Sequence, residues 1–92
     1  MGGSQLIEAS AIADKIRELT WARGPDKTIC PSEVARDLAP ENWRELMPAV
    51  RETAATLVDA GEMAVAQKGR IVDPREAKGP IRLRSTAASV RR

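Results

Sequence analysis

Residues 28–38, Thr28-Ile29-Cys30-Pro31-Ser32-Glu33-Val34-Ala35-Arg36-Asp37-Leu38, constrain the fold of this chain more than any other stretch. Thr28 and Ile29 favour an extended step. Pro31 then suits the first position of a helix, where its missing N–H costs nothing. Glu33 falls in the first turn, where a negative charge suits the helix dipole. Val34, Ala35 and Leu38 give this short helix a buried face. The chain therefore steps from extended backbone directly into a compact amphipathic helix.

The flanking segments complete the pattern. Residues 6–23 read as a first helix, with Leu6, Ile7, Ala9, Ile12, Ile16, Leu19 and Thr20 on one stripe at helical spacing. Gly24-Pro25-Asp26 stops it, because Gly supplies the terminal turn and Pro cannot continue the helix. Residues 43–60 read as the third and longest helix, with Trp43, Leu46, Met47, Val50, Ala54, Leu57 and Val58 on its apolar stripe and Gly61 as its stop. Pro48 interrupts that stripe. A proline in a helix interior costs about 3 kcal/mol or more, so the pattern favours a main helix that starts at Pro48 over one that kinks there. Met63 to Gln67 and Arg70 to Asp73 read as strands around a Lys68-Gly69 turn. Ile81-Arg82-Leu83-Arg84 alternates apolar and basic residues as a third strand would. Residues 85–92 are small, polar and basic, and are expected to form a flexible tail outside a domain spanning residues 1–84.

Helix, extended step, helix, helix, hairpin is the order of a winged helix-turn-helix domain. The expected fold class is thus α+β, with three helices and a small antiparallel sheet that forms the wing. The chain also resembles a known family. Ile29-Cys30-Pro31-Ser32-Glu33-Val34-Ala35, Trp43-Arg44 with Met47-Pro48-Ala49-Val50-Arg51, Gln67-Lys68-Gly69-Arg70 with Val72-Asp73-Pro74, and Gly79-Pro80-Ile81-Arg82-Leu83 are similar to a family of small bacterial proteins of unknown function, DUF3253. The resemblance spans roughly residues 5–84 and implies a winged-helix fold. It implies no activity, ligand or catalytic residue.

Composition narrows the chemistry. The 92 residues include no histidine and one cysteine, Cys30, so histidine-based acid–base catalysis is excluded and no disulfide forms within the chain. No metal site or cofactor is expected, and an enzyme is the least supported class. The only aromatic residues are Trp21 and Trp43, which disfavours a stacking platform for single-stranded nucleic acid. Both tryptophans are expected to anchor the aliphatic core. Cys30 is expected to be a half-buried helix cap rather than a reactive thiol. No segment approaches the ~20 apolar residues of a membrane span, and no secretory signal is visible, so a cytoplasmic location is the expectation.

Charge is unevenly distributed. Residues 1–62 carry a net −4 and residues 63–92 a net +6. A basic C-terminal third can meet phosphate, or pair with acidic helices of its own chain or of a second copy. In a winged helix the third helix lies in the major groove and the wing touches the adjacent backbone. The candidate nucleic-acid-binding residues are therefore Arg44 and Arg51 on the third helix, Lys68 and Arg70 at the wing tip, and Arg82 and Arg84 on the last strand. Arg75, Lys78, Arg91 and Arg92 could extend the stripe. Each has a plainer reading. The third helix also exposes Glu45 and Glu52, as a solvated mixed-charge face would. Lys68 and Arg70 could simply keep a hairpin soluble, and Arg82 and Arg84 could pair with acids on the first helix. The leading expectation is a module that binds double-stranded DNA. Its rival is a winged-helix protein-interaction module that binds no DNA, with a protein partner or a homodimer as its target.

Overall fold

The computed structural model describes residues 7–24 and 27–86. Three helices, α1 (Ala9–Arg23), α2 (Pro31–Leu38) and α3 (Trp43–Asp59), precede three strands, β1 (Met63–Gln67), β2 (Arg70–Ile71) and β3 (Arg82–Ser85). The strands form one antiparallel sheet in the order β2-β1-β3. The fold class is α+β, with the winged-helix order of elements. No helix of the described residues is long and apolar enough to cross a membrane.

One face of the sheet closes over the helices. Val65 and Met63 of β1, with Ile81 and Leu83 at β3, meet Ile12 and Ile16 of α1, Val34 and Ala35 of α2, and Val50, Ala54 and Leu57 of α3. All are buried, and the core is aliphatic as the composition requires. Ile29 is drawn into the same core. Its N–H and C=O exchange 2.8 Å hydrogen bonds with Leu83, so the extended step before α2 pairs with β3 at this one residue only. The extended step expected at Thr28 and Ile29 is thus a single bridge, because Pro31 has no N–H to continue the ladder.

Several boundaries differ from the sequence pattern. α1 begins at Ala9 rather than residue 6, since Glu8 is extended (φ −71°, ψ 152°) and its carbonyl accepts from Ala11 and Ile12. Ile7 packs on the core from outside the helix, while Leu6 lies outside the described residues. α3 does not start at Pro48 but runs unbroken from Trp43 to Asp59 with Pro48 inside it. Trp43, Leu46 and Met47 all pack against the core. Burying such side chains is worth about 1.5–3 kcal/mol each when complete, which offsets the lost bond to the Arg44 carbonyl. β2 ends at Ile71, although the Val72 N–H still reaches the Val65 carbonyl at 3.0 Å. β3 includes Ser85, which is buried, and the Thr86 N–H bonds the Glu62 carbonyl at 3.0 Å. These two residues of the expected tail belong to the folded domain; residues 87–92 lie outside the described residues. Trp21 is 49 % exposed and does not anchor the core, whereas Trp43 packs on it.

Truncating Leu83, which no solvent reaches, should cost about 2–5 kcal/mol in Leu83→Ala. Pro48→Ala should instead stabilise the protein by about 1–3 kcal/mol by restoring a helical hydrogen bond. Denaturant titrations of the two variants check both signs.

Candidate nucleic-acid interface

The wing begins at a two-residue turn. Lys68 (φ 54°) and Gly69 (φ 82°) both adopt the left-handed region, as a type I′ hairpin demands. Gly69 takes that conformation freely, whereas Lys68 is there at a cost of about 1–2 kcal/mol. The turn lifts Lys68 and Arg70 into solvent at the end of β1 and β2. Neither makes an ion pair among the described residues.

Strand parity places the other cations. Ala66 pairs with Arg82, Ala64 with Arg84, and Ala66 on its other side with Ile71. Paired residues share a face, so Arg82 and Arg84 stand on the outer face of the sheet, opposite the core. The alternation read in Ile81–Arg84 is realised, with Ile81, Leu83 and Ser85 buried and Arg82 and Arg84 exposed. Arg82 does not pair with acids of α1. Its Nε donates to Thr28 Oγ1 at 2.8 Å and a terminal nitrogen lies 2.9 Å from Cys30 Sγ. Cys30 is half-buried at the N-terminus of α2, where its N–H donates to the Glu33 carboxylate at 3.0 Å.

Lys68, Lys78 and Arg82 converge on one open cleft of about 390 Å³, completed by Gln67 and Pro80. No carboxylate of the described residues lines it. Its far wall is the loop between β2 and β3, and that loop is gripped from two sides. Arg51 of α3 donates to the carbonyls of Ala77, at 2.8 Å, and Gly79. The Gln67 amide donates to the carbonyls of Lys78, at 2.5 Å, and Pro80, at 3.1 Å. Four successive carbonyls are thus taken alternately by two side chains. The sequence pattern names Arg51 as a candidate nucleic-acid contact exposed on the third helix and gives Gln67 no site role. No local pattern reports a contact across 26 residues.

The α3 surface differs in sign. Its exposed positions are Arg44, Glu45, Pro48, Ala49, Glu52, Thr56 and Asp59. Glu52 and Asp59 hold Arg75 of the wing loop at 3.4 and 3.2 Å. Arg75 is therefore tied to α3 and not to the stripe with Lys78; Arg91 and Arg92 lie outside the described residues. Arg44 lies over the Trp43 ring at 4.6 Å and Arg36 of α2 lies over the same ring at 4.3 Å. Arg44 is thereby separated from the cleft cations and grouped with Arg36, which the sequence pattern did not suggest.

The acids of α1 are engaged locally. Asp14 pairs with Arg17, and Glu18 with Lys15, which also reaches Asp37 of α2 at 2.8 Å. Arg17 forks onto Glu62 with contacts of 2.8 and 3.2 Å, pinning α1 to the turn before β1. That bidentate bond holds the Glu62 carboxyl below the usual glutamate range and raises Arg17 in turn.

Helices, sheet and wing together define a winged-helix module with a cationic cleft beside its wing. The family model for proteins of unknown function DUF3253 matches residues 9–86, from the start of α1 to just beyond β3, and the chain belongs to that family. No curated protein matches the chain.

Because the folded-state pKa of Glu62 is depressed, its contribution is present above the unfolded glutamate value of about 4.3. It disappears as pH falls through the lower folded value. Glu62→Gln should lose about 1 kcal/mol at pH 7, and the gap from the parent protein should close below about pH 4. Thermal melts across that window check the sign.

Proposed function

We propose that this protein is a nucleic-acid-associated module, and not an enzyme, that holds duplex DNA by its backbone phosphates. The observation that carries the reading is the cleft in which Lys68, Lys78 and Arg82 meet with no carboxylate of the described residues in its lining. Arg70 on β2 and Arg84 on β3 are also exposed and add to the positive charge of this part of the chain. Lysine acts there as a point charge on phosphate, and such contacts fix position without reading sequence.

A mixed-sequence duplex carrying a fluorescent label, titrated at low and near-physiological salt, tests this by anisotropy. Three phosphate contacts give an expected slope of about −3 for log affinity against log salt. Absence of binding at low salt contradicts the reading, because non-specific attraction is strongest there.

A second reading, a protein-interaction module, is favoured by one observation. Ala55 and Val58 of α3 with Val72 and Pro74 line an open groove of about 340 Å³ beside Ile71, which is 68 % exposed. Under that reading Ile71→Lys would abolish self-association or partner binding measured by sedimentation, and the duplex titration would stay flat.

A further inference from the structure

We infer that α3 is the brace of the wing and not the element that enters a duplex, and that Arg51 and Gln67 are positioning residues for a wing-first contact. The inference rests on the phosphate-binding reading for its partner, but its structural half stands apart from any partner.

In winged-helix DNA binding the second helix of the helix-turn-helix lies in the major groove and its side chains reach base edges. The outward side chains of α3 are poorly suited to that task. Glu45, Glu52 and Asp59 would be brought against phosphates. The cations that might offset them are already engaged. Arg51 spends its guanidinium on the Ala77 and Gly79 carbonyls. Arg75 is drawn onto Glu52 and Asp59. Arg44 lies over Trp43.

The same contacts do something definite for the wing. Arg51 takes the carbonyls on either side of Lys78, and Gln67 takes those of Lys78 and Pro80. The backbone of residues 77–80 is therefore fixed between α3 and β1. Lys78 and Pro80 of this fixed segment line the cleft together with Lys68 and Arg82. A loop without such a grip would have to lose backbone entropy, about 1–2 kcal/mol per residue, on meeting its ligand. Ordering the loop in advance removes that cost from binding. Glu52 and Asp59 of α3 add a further tie to the loop by holding Arg75.

The test has two arms on the full chain. The first needs no nucleic acid. In Arg51→Ala and Gln67→Ala, backbone order parameters of residues 77–79 should fall from about 0.85 toward 0.6 while those of α3 hold. Unchanged order parameters overturn the brace. The second arm compares salt slopes of duplex binding. Lys78→Gln and Lys68→Asn (asparagine tolerates the left-handed turn) should each weaken binding several-fold and reduce the slope by about 1. Arg51→Ala should weaken binding several-fold with the slope unchanged, as a residue acting through the loop must. Arg44→Ala and Glu45→Gln should change affinity less than twofold. A reduced slope in Arg44→Ala with Lys78→Gln silent means that α3 enters the duplex, which overturns the inference and spares the nucleic-acid reading. A parent protein that binds no duplex overturns the nucleic-acid reading instead, while the first arm still decides whether α3 braces the loop.

Discussion

Two hydrogen bonds between Ile29 and Leu83 decide which way the last strand faces. Both residues are fully buried, and the exchange locks the connection between α1 and α2 onto β3. In a strand a shift of one residue would send every side chain to the other face. With Leu83 held inward, Ile81 and Ser85 must also point in and Arg82 and Arg84 must point out. Arg82 then falls beside Thr28 and Cys30, the outward neighbours of Ile29. The placement of the basic residues is therefore a consequence of core packing.

The second organising constraint is electrostatic. Acid is concentrated in the helical part of the chain and base in the wing part, and the fold uses some of this difference internally. Arg17 with Glu62 and Arg75 with Glu52 and Asp59 tie helix to turn and wing to helix. The exposed pairs of Arg75 add little stability individually, and their value here is geometric. Among the described cations left without an acid partner are Lys68, Lys78 and Arg82 of the cleft, and there a polyanion meets positive charge with no carboxylate of the described residues in the lining.

Much of this architecture was legible in the residues. Pro31 marked the start of α2, Gly61 followed the end of α3, Lys68-Gly69 announced the hairpin, and alternation over Ile81–Arg84 gave the parity of β3. Each is a local signal with a local cause. The departures share a different origin. Pro48 suggested a helix start because propensity is local, whereas the unbroken helix is held by Trp43, Leu46 and Met47 packing on the distant core. Trp21 lies beside the apolar stripe of α1 and stands half in solvent. Among the candidate site residues, Lys68 and Arg82 were named from charge and hairpin position, and the structure brings them together. The alternating grip of Arg51 and Gln67 on residues 77–80 was not legible, because side chain to backbone bonds between distant segments leave no periodic trace.

The most direct measurement is an amide chemical-shift map of the isotopically labelled protein titrated with a mixed-sequence duplex at low salt. The wing-first account expects the largest shifts at residues 67–70 and 77–84, with small shifts along the exposed side of α3. Dominant shifts at residues 44–52, with the wing unmoved, would contradict it and return α3 to the role of reader.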